Sequence, residues 1–406
     1  MSENGIQSSK SSYPLPIHFL EPTSDLTREH FIQVKIKDLE EVKYQQIEEE
    51  EIKKKLKSIR EENMANLPEN IKNFQNLLKK KGIKLFYAKT AKDAVKYIEN
   101  ILRESKLNTI CINNSSVIQE TISEMGGDVD IVDTYNANYK ETQGAIPLKY
   151  WELSVPSESQ IWNSFEVSGL RYKDAYNFLA LLGVNAASSK DGSLFFVQHF
   201  TNIKSLIEKA KKTIFVISLE KIVKDFEQGI FISKAAGLFG VKSILLGIMS
   251  NKTKYRQIST DQITDEFEKI EKLDVENTHI ILLDNGRKDL SGGEFKEFLQ
   301  CINCKACGVV CPRSLYGVEE EQRTPRELVL LRFTEGLKET VDEGLYDCTL
   351  CGSCKIACPL SIPLPDFLQR IRQEVVEDGL VPKKHLMLGE NVKNLGNPYG
   401  KGDRFE

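Results

Sequence analysis

Cys301-Ile302-Asn303-Cys304-Lys305-Ala306-Cys307-Gly308-Val309-Val310-Cys311-Pro312 and Cys348-Thr349-Leu350-Cys351-Gly352-Ser353-Cys354-Lys355-Ile356-Ala357-Cys358-Pro359 are two copies of one pattern, C-x2-C-x2-C-x3-C-P. Three cysteines at this spacing wrap a tight loop round one face of an iron–sulfur cubane, whose irons take thiolate donors. The fourth leaves the loop and, in two-cluster folds, reaches the other cluster. The pattern therefore assigns Cys301, Cys304, Cys307 and Cys358 to one [4Fe–4S] cluster, and Cys348, Cys351, Cys354 and Cys311 to a second. A pair of zinc sites is the competing reading, but zinc takes two C-x2-C pairs and closes at four ligands, whereas two complete four-cysteine runs stand here. No ligand is missing, so the expected role is one-electron transfer rather than Lewis-acid chemistry at an open iron. Gly308, Gly352 and Ser353 are placed to offer backbone or hydroxyl donors to the cubanes.

Outward from this pattern the chain changes character in both directions. Of nine cysteines only Cys111 lies elsewhere, in the apolar run Thr109-Ile110-Cys111-Ile112, where it reads as a core residue. Between the motifs, Thr324-Pro325-Arg326-Glu327 is a helix start with a capping box, expected to open a helix running to about Val341. After them, Pro365 to Glu377 reads as a further helix. Upstream, short apolar runs at Leu85-Phe86-Tyr87, Thr109 to Ile112, Val129 to Val132, Leu194 to Val197, Ile214 to Ile217, Ser243 to Leu246 and Ile280 to Leu283 read as strands. Helix-like stretches lie between most of them, at Ala91 to Leu102, Ser115 to Met125, Ile203 to Lys211 and Gly229 to Phe239. That alternation argues an α/β domain with a mostly parallel sheet, residues 64–290, followed by a small α-helical two-cluster domain, residues 291–406. Residues 1–37, rich in Ser and Pro, read as a flexible N-terminal arm. Residues 38–63 read as a charged amphipathic helix with a solvated face, with Glu49–Lys53, Glu50–Lys54 and Glu51–Lys55 as i,i+4 pairs.

Composition narrows the function classes. A net charge of −4 over 406 residues gives no basic field for nucleic acid. No apolar run approaches the roughly 18 residues of a membrane helix. Met1-Ser2-Glu3-Asn4-Gly5 does not open a signal peptide, so the cytoplasm is the expected compartment, with a peripheral place on a membrane complex as the variant of that reading.

The run His279-Ile280-Ile281-Leu282-Leu283-Asp284-Asn285-Gly286-Arg287, then Glu294-Phe295-Lys296-Glu297-Phe298-Leu299-Gln300 and the first cysteine motif, resembles the lactate-utilisation iron–sulfur proteins. In that family a LUD domain precedes a two-cluster ferredoxin module, so the resemblance implies that residues 64–290 are LUD-like. It also implies a subunit of a complex oxidising L-lactate or a related 2-hydroxyacid. Lys190 stands where the family carries a glutamate, and Asn113-Asn114-Ser115-Ser116 replaces its Lys-Ser-Lys-Ser. The tail, with Ile362-Pro363, Pro382, His385 and Gly396-Asn397-Pro398-Tyr399-Gly400, is similar to heterodisulfide-reductase C-type subunits. That resemblance implies a partner with cysteine-rich CCG domains, a flavin-containing oxidoreductase subunit, or both.

Other candidates carry weaker chemistry. Asp284, Asn285 and Gly286 follow a buried strand, where open α/β sheets place ligand loops, but Asn-Gly is also an ordinary turn. Asn185 to Ser193 reads as a turn or a small polar pocket. His199 and His279 lack neighbours at metal-ligand spacing, and no Walker loop, nucleophilic triad or G-x-G-x-x-G is present. Arg313, Arg323, Arg326 and Arg332 flank the cysteines as a solvated face or a docking surface for an acidic partner. The leading expectation is a non-catalytic electron-transfer subunit. Its alternatives are a thiol/disulfide electron-transfer subunit, a LUD-domain enzyme acting on an organic acid with the clusters as its electron outlet, and an iron–sulfur sensor.

Overall fold

A computed structural model describes residues 15–20, 39–113, 115–127, 129–133, 177–197, 202–248, 268–269, 275–313 and 323–400. They divide into two compact units. The first takes the described residues up to 242, those between 251 and 287, and 302–304; the second takes the described residues of 243–250, 288–301 and 305–406.

In chain order the first unit contains β1 (Ile17–Leu20), α1 (Leu39–Ala65), α2 (Leu67–Lys80), β2 (Lys84–Ala88), α3 (Ala91–Ser105), β3 (Thr109–Ile112), α4 (Ser116–Ile122) and β4 (Asp130–Asp133). There follow β5 (Leu179–Gly183), β6 (Ala186–Ser188), β7 (Leu194–Val197), α5 (Asn202–Lys209), β8 (Lys212–Ser218), β9 (Ile222–Val223), α6 (Phe226–Ile248, whose end from residue 243 belongs to the second unit), β10 (Glu268–Lys269) and β11 (Thr278–Leu283). Six strands form one sheet in the order β2-β11-β8-β5-β3-β4, and every pairing in it is parallel. Alternate residues of its strands enter two different cores. Ile110, Ile112, Leu179, Leu181, Ile214, Val216, Ile281 and Leu283 pack with Ala94, Ile98 and Ile101 of α3 and with Val117 and Ile118 of α4. Cys111, Ala180, Leu182, Phe215, Ile217, Ile280 and Leu282 pack with Phe74 and Leu78 of α2, Leu206 of α5, and Phe19 and Phe196 of the second sheet. Burial on both faces is why these strands read as continuous apolar runs rather than alternating ones.

The second sheet, β10-β1-β7-β6-β9, mixes parallel and antiparallel pairs. It takes in a segment expected to lie in a flexible arm: Ile17–Leu20 pairs in parallel with Leu194–Val197, and Leu15, Ile17 and Phe19 are buried. Long-range pairing with β7 on one side and β10 on the other makes this a strand. Two further expectations change. Residues 243–246, read as a strand, continue α6, because an apolar run without a breaker fits a helix as well as a strand. The charged helix α1 is not solvated all round: Leu56, Arg60 and Asn63 are buried, Arg60 Nη1 donates to the Glu220 carbonyl at 3.0 Å, and Asn63 Oδ1 accepts from Lys224 N–H. Among the described residues its internal pairs include Lys53 with Glu50, i,i+3, at 2.9 Å and Lys57 with Glu61, i,i+4, at 4.0 Å; Glu49 lies where no side chain is described.

The second unit's described elements are helical. They are α7 (Arg287–Ser291, whose first residue belongs to the first unit), α8 (Ala306–Val309), α9 (Pro325–Thr334), α10 (Leu337–Asp342), α11 (Ser353–Ala357), α12 (Leu364–Glu377) and α13 (Lys383–Leu395). The capping box at Thr324 is present: Thr324 Oγ1 accepts from Glu327 N–H, and Glu327 Oε2 accepts from Thr324 N–H at 2.7 Å. The helix it opens stops at Thr334, short of Val341, because Gly336 turns the chain at φ +118° before α10 begins. Leu345, Leu368, Ile371 and Val375 are fully buried in this unit. No candidate membrane span exists among the described residues: none of their helices is long and apolar enough.

Candidate metal centre

The two cysteine runs share a backbone design. In each, the second residue between the first two cysteines is left-handed, Asn303 at φ +56° and Leu350 at φ +54°. So is the residue after the second cysteine, Lys305 at φ +62° and Gly352 at φ +82°. Successive reversals of this kind turn backbone N–H groups toward one concave side, the arrangement that suits anionic sulfur. Leu350 N–H donates to Cys348 Sγ at 3.4 Å. A short helix then carries the third cysteine away, α8 in the first run and α11 in the second.

Cys311, Cys348, Cys351 and Cys354 line one cavity, together with Pro312, Arg313, Pro325, Asp347, Gly352 and Pro365 among others. The fourth cysteine of the first run thus joins the first three of the second. Burial and the neighbouring charges of Cys348, Cys311 and Cys351 push the Cys354 thiol up to about 12. Burial, and then the charge of Cys301, push the Cys358 thiol up. The Ser353 hydroxyl, 3.4 Å from Cys351 Sγ, holds that thiol below its ordinary value. Cys304 and Cys307 are half-buried. Among the described residues no three His, Cys, Asp or Glu side chains converge on a single-ion point.

The donor set fits a cubane: four sulfurs line one cavity, with crowding that makes the bare thiolates unfavourable until metal neutralises them. The buried Nε atoms of Arg313 and Arg372 add to this, since neither has an acceptor within the described protein. Gly308 differs from expectation. Its N–H is spent on the Lys305 carbonyl, and a side chain there would press on Thr324 Cγ2, 2.7 Å from a Cβ. The flanking arginines are not a solvated face. Arg323 Nε donates to Glu343 at 3.0 Å, Arg332 Nε to Glu374 at 2.6 Å, and Arg326 is buried over the Phe298 ring.

At the carboxyl ends of the parallel strands stands a second polar group, missed in the sequence except for its Asp-Asn-Gly-Arg frame. Arg287 is buried, with Nε donating to Glu220 at 2.6 Å and both Nη atoms to Glu120, at 3.0 and 2.8 Å. Burial alone would raise the Glu220 carboxyl, but Arg287, Lys221 and the Ser218 hydroxyl outweigh it and hold it down to about 2. Asn285 and Gly286, at φ +45° and +85°, form the turn that delivers Arg287, and Asp284 accepts from the Tyr87 hydroxyl at 2.7 Å. Asn185 to Ser193 is a hairpin between β6 and β7, with Asp191 accepting from Ser193 N–H and Oγ and Lys190 exposed. His279 meets Tyr97 OH at 2.8 Å and no other ligating group; Cys111 is fully buried; His199 lies outside the described residues.

Two family descriptions match this architecture: LUD domain over residues 71–264 and 4Fe-4S dicluster domain over residues 297–362. The chain is thus an α/β LUD-domain protein with a dicluster domain behind it, and two [4Fe–4S] clusters are its cofactors. Its sequence is similar to Lactate utilization protein B 1 of Bacillus mycoides (strain KBAB4), 27% identical over 355 residues that make up 80% of this chain and 71% of that protein. Lactate utilization protein B of Bacillus cytotoxicus is 26% identical over 80% of the chain and 72% of its own length. Its namesake in Lysinibacillus sphaericus is 26% identical over 81% and 73%. No solved structure matches.

Proposed function

We propose that this protein is an iron–sulfur electron-transfer subunit in the oxidation of L-lactate or a related 2-hydroxyacid. Cys301, Cys304, Cys307 and Cys358 hold one cluster, and Cys311, Cys348, Cys351 and Cys354 the other. The observation that carries the reading is the cavity in which Cys311 of the first run meets three cysteines of the second. The bound clusters supply one-electron transfer. The chain's own groups set the loops, exclude water and fix the charge around them. The substrate class is taken from the similarity to the lactate utilization proteins.

The α/β domain acts as scaffold and docking platform rather than as a catalytic site. The carboxyl ends of its strands, where ligands settle in such sheets, are closed by the Arg287–Glu120–Glu220 clasp, whose donors already have acceptors. Oxidising a 2-hydroxyacid removes two electrons and two protons, so a separate subunit with a flavin or a cysteine-rich CCG site performs that step in the cytoplasm. Anaerobic pull-down from native extract, with iron and sulfide counted on the recovered complex, tests this. Two cubanes per chain with such a subunit are the expected result. Zinc, or a solitary protein that turns over lactate, would overturn it.

A further inference from the structure

One wall of the cavity of Cys311, Cys348, Cys351 and Cys354 is a charged side chain. Arg313 lines it, is 13% exposed, and is held at its outer edge by three oxygens. Nη1 donates to the Arg323 carbonyl at 2.9 Å, Nη2 donates to the Glu343 carbonyl at 3.0 Å, and Asp347 Oδ2 lies 3.3 Å from Nη2. The backbone makes room for this guanidinium. Gly344 sits at φ +95°, and any side chain there would run into Arg313 Nη2. Nε is the one nitrogen of this group that is buried without an acceptor in the described protein. A clamped, buried donor of this kind is costly unless an acceptor arrives, and the cavity it lines is walled by sulfur.

We infer that Arg313 is a positioning residue for this cluster, donating Nε–H to one of its sulfurs and raising its reduction potential without changing that of the other. The inference rests on the ligand assignment of the proposed function. One-electron reduction adds one negative charge to the site. A fixed cation in a poorly solvated wall therefore favours the reduced form, and a hydrogen bond to sulfur acts in the same direction.

The test is an EPR-monitored redox titration of the full chain, reconstituted anaerobically, with iron and sulfide counted. The wild type gives two one-electron waves. In Arg313→Gln one wave moves to lower potential by at least tenfold in its equilibrium constant, about 59 mV for one electron, and the other stays. The moving wave is the one that Cys351→Ser also displaces. Arg313→Lys, which keeps the charge, recovers more than half of the shift. A shift under twofold, equal movement of both waves, movement of the wave that Cys351→Ser leaves alone, or a lysine variant as low as the glutamine one would overturn the inference. Pulsed EPR of wild-type protein labelled with ¹⁵N in arginine alone needs no substitution, should Arg313→Gln fail to hold the cluster. A ¹⁵N coupling at the reduced cluster is expected, and its absence would overturn the inference. Wild-type protein without iron and sulfide for two cubanes would instead sink the ligand assignment underneath.

Discussion

The α/β unit is built round residues that touch one another, whereas the cysteine-bearing unit is built in part round residues that touch a space. Leu179 to Leu182 in β5 and Ile280 to Leu283 in β11 are fully buried, and Arg287, deeply buried there, is matched by two carboxylates. In the cysteine-bearing unit four sulfurs face a cavity and α13 buries none of its residues, whereas buried polar atoms without a partner among the described residues stand in both units, among them Gln228 Oε1 in the first and Nε of Arg313 and Arg372 in the second. The contrast teaches where stability comes from. The first unit takes its order from its own packed apolar cores, while the second draws part of its order from what its thiolates bind.

Stripping the iron anaerobically with a chelator is the strongest test of that contrast. Hydrogen exchange should show residues 301–311 and 348–358 losing protection almost completely while β5, β8 and β11 keep theirs; equal loss in both units would break the comparison. Arg287→Met leaves Glu120 and Glu220 buried without their counter-charge. It should cost the α/β unit about 3–5 kcal/mol in urea unfolding, with iron content unchanged. A pH series reaches the same unit more gently. Burial, then Lys84 and Lys212, push the His279 imidazole down to about 4. The unfolded chain takes up that proton near pH 6.5 and the folded one only near 4, so stability falls as pH drops through this window and levels off below it. With half-buried screening the loss is about 1–2 kcal/mol, and His279→Gln should flatten the slope measured by urea midpoints from pH 7 to pH 4. The smallest effect belongs to Thr324→Ala, about 1 kcal/mol through the lost cap. Thermal unfolding of the cysteine-bearing unit should register it in apo protein, and its loss there would show that capping does not limit that unit.

How much of this was readable beforehand follows the same division. The cysteine spacing, the capping box and the doubly buried strands β3, β8 and β11 are local patterns, and the residues alone announce them. The strand at Ile17–Leu20 is not local, since its polar surroundings describe an arm and its distant partners β7 and β10 make it a strand. Leu179–Gly183, central to the sheet, and residues 243–246, part of a helix, show no difference in pattern, because a short apolar run has no period to separate strand from buried helix. The break at Gly336 was announced only by the glycine itself. At the site, the eight cysteines were legible, but Arg313 looked like any basic flank. The signal that singles it out, Gly344, lies far along the chain and means nothing until the two are seen together.

The meeting of Cys311 with Cys348, Cys351 and Cys354 also sets an order of events during synthesis. On the proposed ligand assignment, neither cluster has its full set of thiolates when the first run leaves the ribosome, and the set for the first is complete only once Cys358 has emerged. At about 5–20 residues per second the chain spends roughly 2–10 s with unligated cysteines exposed between those moments. Throughout that interval the nascent protein is open to oxidation and to the wrong metal, so faithful maturation depends on timing, with iron–sulfur loading forced to follow translation rather than accompany it.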